Sequence, residues 1–489
     1  MRVNSIVYSI YKRISQISEG AKSSIVFTVA SLFTNGLSII TVPIFTRLMS
    51  TSDIGVVNIY NSWFSMIGSV ACLALTSGGF MVGLKEYRSE RDSYVSSILT
   101  LTSIVGIILG VAFCLAPAFW SKLLDLSIPL CVMLIIGFFV TPATNFWLAR
   151  QRYEYEYKSG GIVTVLSALL ATFVSLFAVL YASKKGSSSL GTVRLISCNV
   201  ITYGVAFIIW VYIFFKGKTG YNKNYWLFSL KLSIPLIGNT LATQVLSVSD
   251  RVMIGHMTGN SSVGIYGTLY TVSSLSLIVW SAINSSFVPY LFENIEKTES
   301  ERRIKQISTN LMLVYSLVAI TMTLVAPEIV RVLATPEYYE AIYIMPPIAA
   351  GVFLTAMSNI YSNVLIYHKK TISVMIASSI AAIVNVVLNY LGIQIYGYMA
   401  AAYTTLVAYI ILALIQAIVS NRIHKRLTKR NNTVYDNKNI FRISVFTIIC
   451  CLASLPLYMN TIIRYSVVLL LCITCFVFRK RLIAMIKVE

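Results

Sequence analysis

Stretches of about 20 uncharged, mostly apolar residues recur along this whole chain, the length a helix needs to cross about 30 Å of hydrocarbon. Residues 161–183, for example, contain no charged side chain. Lipid offers no partner for backbone N–H and C=O groups, so each stretch has to satisfy them internally, as a helix does. A β-barrel would alternate apolar and polar residues over segments of about 10, and that pattern is not seen. Composition agrees: 57% of the 489 residues are hydrophobic and 12% are charged, whereas soluble domains carry about 25% charged residues. The chain reads as an all-α polytopic membrane protein.

About 14 spans are predicted, at 24–46, 58–84, 94–116, 128–149, 160–182, 193–215, 230–256, 264–289, 307–332, 342–366, 372–391, 398–420, 440–458 and 464–478. The last is short, and spans 13 and 14 also fit a re-entrant pair. Cytoplasmic loops collect Lys and Arg, which tests this map. With the N-terminus inside, 30 of the 39 basic residues fall on inner segments. Arg47, Lys122, Lys184, Lys185, Arg194, Arg251, Arg331 and Arg464 fall on the outer side. The bias predicts a multi-pass protein with both termini cytoplasmic. It also accounts for the net charge of +21 without invoking nucleic acid. No connection is long enough for a separate soluble domain.

The first 22 residues are polar and basic, so no cleavable leader is expected. Ile6, Ile10, Ile14 and Ile17 recur at helical spacing, which fits either an amphipathic interfacial helix or an unstructured tail. The eight cysteines all lie in apolar stretches. Cys472 and Cys475 have redox spacing but lie within a span, so the cysteines read as small buried hydrophobes. His256, His368 and His424 are far apart in sequence, and no metal site is expected.

A weak internal repeat divides the chain. Span 1 leaves through Met49-Ser50-Thr51-Ser52-Asp53-Ile54-Gly55, and span 7 through Met257-Thr258-Gly259-Asn260-Ser261-Ser262-Val263-Gly264. Gly55 and Gly264 then coincide at an offset of 209. Span 4 ends in Arg150-Gln151-Arg152 and span 10 in Tyr367-His368-Lys369-Lys370. Six spans separate the copies, so they are parallel. Two pseudo-symmetric six-helix lobes around a central cavity are expected, with two further C-terminal helices. The predicted parts are a cytoplasmic segment 1–23, an N-lobe 24–215, a C-lobe 216–420, a basic cytoplasmic loop 421–439, and spans 13 and 14 with a cytoplasmic tail in 440–489.

Ser233-Ile234-Pro235-Leu236-Ile237, then Ser249-Asp250-Arg251-Val252-Met253-Ile254-Gly255 and Val263-Gly264-Ile265-Tyr266, resembles the polysaccharide-transporter family of lipid-linked oligosaccharide flippases. Pro43-Ile44-Phe45-Thr46-Arg47-Leu48 with Asp53-Ile54-Gly55 is similar to that family's first-span ending. Tyr396-Gly397-Tyr398-Met399-Ala400-Ala401-Ala402 is similar to its connection between spans 11 and 12, although the family often has a second glycine at Tyr398 or Met399. The resemblance covers about residues 24–420 and implies a bacterial inner-membrane flippase of the multidrug/oligosaccharidyl-lipid/polysaccharide superfamily. Such proteins carry an undecaprenyl-diphosphate-linked oligosaccharide, of O-antigen or a related surface polysaccharide, to the periplasmic leaflet by alternating access. It further implies no enzymatic activity, no cofactor beyond H⁺ or Na⁺ as coupling ion, and as partners the lipid bilayer and other polysaccharide-assembly membrane proteins. The chain also lacks a Gly-x-x-x-x-Gly-Lys-Ser/Thr phosphate loop.

An anionic diphosphate-sugar headgroup needs fixed positive charge and amide or aromatic side chains, and charges inside spans are functional candidates. Arg47 and Arg251 lead, each near the outer end of a lobe's first span, where snorkelling to headgroups is the alternative. Asp250 reads as a coupling group or as a structural ion pair with another helix. Lys231 lies four residues before Pro235, a potential hinge of span 7, and either captures phosphate or merely follows the positive-inside bias. Asn35, Asn239, Gln244 and Asn284 read as buried amides that either bind sugar hydroxyls or join helices. The 30 tyrosines suit sugar stacking and interfacial belts alike. A multidrug or cation exporter would want more acidic residues within spans, and a polytopic polymerase or glycosyltransferase would want a long outer loop. A lipid II flippase is a further alternative.

Overall fold

The computed structural model describes residues 18–429, 432–477 and 479, which are helical throughout with no β-strand among them. The predicted amphipathic helix before residue 18, and the tail beyond Arg479, lie outside the described residues. The first series of helices is α1 (Glu19–Leu48), α2 (Thr51–Ala71), α3 (Gly79–Glu86), α4 (Arg91–Leu115), α5 (Pro117–Leu124), α6 (Ile128–Tyr153), α7 (Tyr157–Lys184) and α8 (Leu190–Gly217). The second is α9 (Lys223–Thr258), α10 (Asn260–Ser273), α11 (Ser276–Asn294), α12 (Glu301–Leu324), α13 (Ala326–Leu333), α14 (Met345–Tyr367), α15 (Thr371–Tyr396) and α16 (Ala400–Thr428). Helices α17 (Asn437–Leu457) and α18 (Thr461–Val477) follow. Twelve segments among the described residues are long and apolar enough to cross a membrane; α18 is shorter.

The offset of 209 recurs element by element. Helix α2 starts at Thr51 and α10 at Asn260, and α4 ends at Leu115 and α12 at Leu324. The eight-residue helices α5 and α13 begin at Pro117 and Ala326, again 209 apart. Pro117 and Pro327 stand in their first turns, where a missing N–H costs nothing. Neither short helix was expected: the predicted ninth span ran on to 332, and α12 in fact stops just before Pro327. Helix α16 also continues to Thr428, taking up part of the segment predicted as a basic loop.

Two compact units form. One comprises the chain up to Leu48 together with Ile67–Ile237, and the other Met49–Met66 with Gly238–Glu489. Of the three boundaries, one falls at the end of α1 and the other two inside helices, α2 and α9. In the first unit α6 packs on α4 and α8, and α7 packs on α1 and α8. Leu75, Phe80, Tyr94 and Phe146 lie in its core, the rings of Phe80 and Phe146 stacked 4.6 Å apart.

The predicted second span, 58–84, is broken rather than continuous. The backbone turns left-handed at Leu73 (φ 51°) and Ala74 (φ 46°), makes a 3-10 turn at Leu75–Ser77, and restarts as α3. Irregular backbone at membrane depth survives only where the protein supplies partners. Here the Gly79 N–H donates to Ser233 Oγ (3.2 Å) and Tyr94 donates to the Gly79 carbonyl (3.3 Å).

In the second unit α14 is buried along nearly its whole length. Its Ala349, Ala350, Gly351 and Ala356 let α16 approach closely, which is how helices associate in lipid. The first half of α2 crosses α10 at the two glycines paired by the repeat. A Cβ on Gly55 would fall 1.8 Å from the Asn260 carbonyl oxygen, and one on Gly264 1.9 Å from that of Thr51. Helix α18 is tied to α13 by Arg464, 1% exposed, which donates from Nη2 to Glu328 Oε1 at 2.5 Å. Among the cysteines, Cys131 and Cys451 are buried as expected, whereas Cys114 and Cys472 are exposed.

Candidate functional site

A buried polar cluster occupies the last third of α9 in the second unit. Asp250 is fully buried: Oδ1 accepts the Arg251 N–H (2.8 Å) and Oδ2 accepts the hydroxyl of Tyr266 on α10 (2.6 Å). Arg251, 9% exposed, donates from Nη1 to the Ser247 carbonyl (3.0 Å) and lies 4.3 Å over the Tyr270 ring. The same Nη1 is 4.0 Å from Asp250 Oδ1. Tyr409 of α16 lies beside Tyr270. The carboxylate therefore pairs with its own neighbour, and the group it meets on another helix is a phenol. Away from water each of these contacts is stronger than in solution, and losing one is costlier. A guanidinium carries five N–H donors, and the contacts above use Nη1 alone.

A second polar chain starts one residue earlier. Ser249 donates to Asn385 Oδ1 (3.2 Å), and Asn385 donates to Thr405 Oγ1 (3.2 Å). Asn389 donates to Asn385 (3.1 Å), and Thr404 donates to Asn389. These bonds join α9, α15 and α16.

The remaining predicted residues are less gathered. Arg47 is exposed and donates from Nη1 to the Pro43 carbonyl (2.8 Å). Its repeat counterpart is His256, whose Nδ1 lies 2.9 Å from the Val252 carbonyl across the same four-residue reach. Arg47 and Arg251 are thus not equivalent positions, since Val42 stands 209 residues before Arg251. Lys231 and Pro235 are exposed on the first half of α9, which continues through the proline. Asn35 is exposed rather than buried, and Gln244 is half-buried. Asn239 is half-buried, with a buried Oδ1 that has no hydrogen-bond partner among the described residues. Asn284 accepts from Asn363 Nδ2 on α14 (3.1 Å).

Three groupings were not foreseen. Arg194 on α8, counted in the sequence among the outer-side basic residues, stacks 3.7 Å over Phe45 of α1. In the first unit Arg150 bonds Asp92 (2.5 Å) and Glu154 (2.9 Å), Arg91 bonds Glu154 (3.2 Å), and Lys216 pairs with Asp92 (3.5 Å). In the second, His368 Nε2 and His424 Nδ1 are 3.0 Å apart at the matching basic end. Burial holds His368 below the usual imidazole range, against the nearby Glu296 carboxylate, which raises it.

The fold defines the class. It is similar to solved structures of the lipid II flippase MurJ in an inward closed conformation (14% identity, TM-score 0.62, 93% of this chain and 99% of that one). It is also similar to an inward-facing multidrug resistance MATE family transporter of the MOP superfamily (13%, 0.57, 82% and 95%) and to a MOP superfamily transporter from Pyrococcus furiosus (13%, 0.52, 83% and 97%). The chain is a multi-pass membrane protein with the transporter fold of that superfamily. A family model described as polysaccharide biosynthesis protein matches residues 21–295, and the MatE model matches 235–391. The first covers more than half of the chain, and the protein belongs to the polysaccharide biosynthesis protein family. No curated protein matches it in sequence.

Proposed function

We propose that this protein is a flippase, a transporter and not an enzyme, that carries undecaprenyl-diphosphate-linked oligosaccharide repeat units of O-antigen or a related surface polysaccharide. It works in the bacterial inner membrane by alternating access, from the cytoplasmic leaflet to the periplasmic one, with both termini cytoplasmic and with H⁺ or Na⁺ as coupling ion. One observation carries the choice of an anionic substrate. The buried acid Asp250 has both oxygens engaged, by the Arg251 N–H and the Tyr266 hydroxyl, whereas Arg251 and Arg194 hold positive charge against aromatic faces. A cation exporter would need a carboxylate free to take its cargo; phosphate suits the planar fork of arginine.

The test is mass spectrometry of undecaprenyl-linked glycans in host cells with and without the protein. A complete repeat unit should accumulate in its absence. Complementation with Arg251→Lys, which keeps the charge but loses the fork, should leave that accumulation largely in place. Absent accumulation together with heightened sensitivity to cationic drugs would replace this reading with multidrug export, the alternative favoured by the MatE match over residues 235–391. A proton or sodium gradient collapsed in proteoliposomes should stop transport if coupling is as proposed.

A further inference from the structure

Two cavities of the first unit lie side by side at its basic end and have opposite chemistry. One, of about 650 Å³, is lined by Lys85, Arg88, Arg91 and Arg152 with Tyr153, Tyr155 and Met81, and no carboxylate is in that lining. The other, of about 620 Å³, is an apolar groove between α1 and α7, with Val26, Val29, Phe33 and Leu166 on its walls and Lys158 at its margin. The two linings share no residue, but they come near each other at Arg152, whose guanidinium lies 4.7 Å over the ring of Phe27, the residue of α1 that follows Val26. Tyr155 of the hollow, held at φ 59°, also packs on α1, where a Cβ on Gly20 would lie 3.3 Å from its ring.

The positive-inside bias explains why basic residues are common at this end, but not why four of them converge on one hollow. The neighbouring charges show the contrast. Arg150, Asp92, Glu154 and Lys216 are paired around a cavity of only about 100 Å³. Lys85 and Arg88, by comparison, make no ion pair or side-chain hydrogen bond with any described residue. Arg91 is fixed by bonds to the Leu84 carbonyl (3.0 Å) and Glu154 (3.2 Å), so it gives the hollow a rigid wall. Converging cations at the ends of spans, beside an apolar trough, match a molecule with a phosphate head and a hydrocarbon chain.

We propose that this pair of cavities binds a membrane lipid, its phosphate or diphosphate group in the Lys85/Arg88/Arg91/Arg152 hollow and its chain in the α1–α7 groove. Two lipids share that chemistry: the diphosphate-linked polyprenyl substrate and bulk anionic phospholipid. The substrate version rests on the proposed flippase function, and the headgroup site itself does not.

The experiment uses the full-length protein in nanodiscs of phosphatidylcholine, with undecaprenyl diphosphate, phosphatidylglycerol and inorganic diphosphate as separate probes. Lys85→Gln/Arg88→Gln should weaken lipid binding by about tenfold or more, with an unchanged melting midpoint in the absence of lipid because both side chains are exposed. Val29→Trp, filling the groove at an exposed position, should weaken both lipids and leave inorganic diphosphate unaffected. Selective loss for undecaprenyl diphosphate identifies the polyprenyl lipid as occupant, and equal loss for phosphatidylglycerol identifies bulk phospholipid. Unchanged affinity of the double variant for every probe overturns the site. Failure of the glycan-accumulation test would leave this binding measurable, so the two ideas fail separately.

Discussion

The two repeats share a scaffold and differ in where they keep their charge. In the first, a network of ion pairs gathers at the basic end, where Arg91, Asp92, Arg150, Glu154 and Lys216 interlock, and Arg194 lies apart from it against Phe45. The stretch of α1 that corresponds to the α9 cluster holds Thr41 and Val42, and Thr41 is satisfied by the Ser38 carbonyl (2.8 Å). In the second repeat the basic end keeps, among the described residues, a single ion pair, Lys305 with Glu301 (2.5 Å), and charge also enters the helix interior. Asp250 and Arg251 stand in the place of Thr41 and Val42, and the basic end carries an imidazole pair, His368 and His424. A parallel duplication supplies two similar helix sets, and here the same pair of helix positions is charged in one copy and uncharged in the other.

The comparison can be broken at its shared feature first. Gly55→Leu or Gly264→Leu places side chain where the other helix's backbone runs, and either should abolish folded, monodisperse protein in detergent. Gly36→Leu, on α1 and with nothing within 4 Å of its Cβ, should run normally by size-exclusion chromatography. Equal loss in all three would show that the glycine crossing is not what matters.

Next, Arg251→Ala leaves the buried Asp250 carboxylate its two hydrogen bonds but takes away its counter-charge, and should cost about 3–5 kcal/mol, read as a large fall in melting midpoint. Arg47→Ala removes an exposed side chain and should cost less than about 1 kcal/mol. Similar falls for the two would erase the asymmetry drawn between the repeats. At the opposite end, Arg150→Met breaks two ion pairs that are partly open to solvent, so a loss of about 1–2 kcal/mol is expected. The same assay reads it, and the loss should shrink in high salt.

The smallest effect is in pH. The native state holds His368 below its ordinary value, so near pH 6 the unfolded chain binds more protons than the folded one. Stability should then rise with pH through about 6.5 and level off above it, by less than about 1 kcal/mol. His368→Asn should flatten melting midpoints measured between pH 5.5 and 7.5. A slope that survives the substitution assigns the effect to other groups.

The spans and the repeat were legible because hydropathy and an offset are properties of the sequence alone. Gly55 and Gly264 stood out as a matched pair, and the structure supplies the reason, since the backbones there are too close for any side chain. The break after Ala71 was not legible. Cys72, Leu73 and Ala74 are apolar and helix-compatible, and the partners that permit the break, Ser233 and Tyr94, lie on other helices. The same limit hid the Asp250 site: the acid was visible, but its phenolic partner depends on how α10 folds back beside α9. The packing of Arg194 on Phe45 was hidden too, because a charge count sorts residues by position along the chain and not by the face they occupy.

The glycine crossing also sets a schedule. Gly55 meets Asn260, a residue 205 positions later in the chain. At about 5–20 residues per second, the ribosome needs roughly 10–40 s to supply it. Through that interval the first half of α2 sits in the membrane with its small-residue face uncovered, open to any other helix nearby. Slowed translation between residues 55 and 260 should therefore raise misassembly and degradation, while a pause after residue 300 should not.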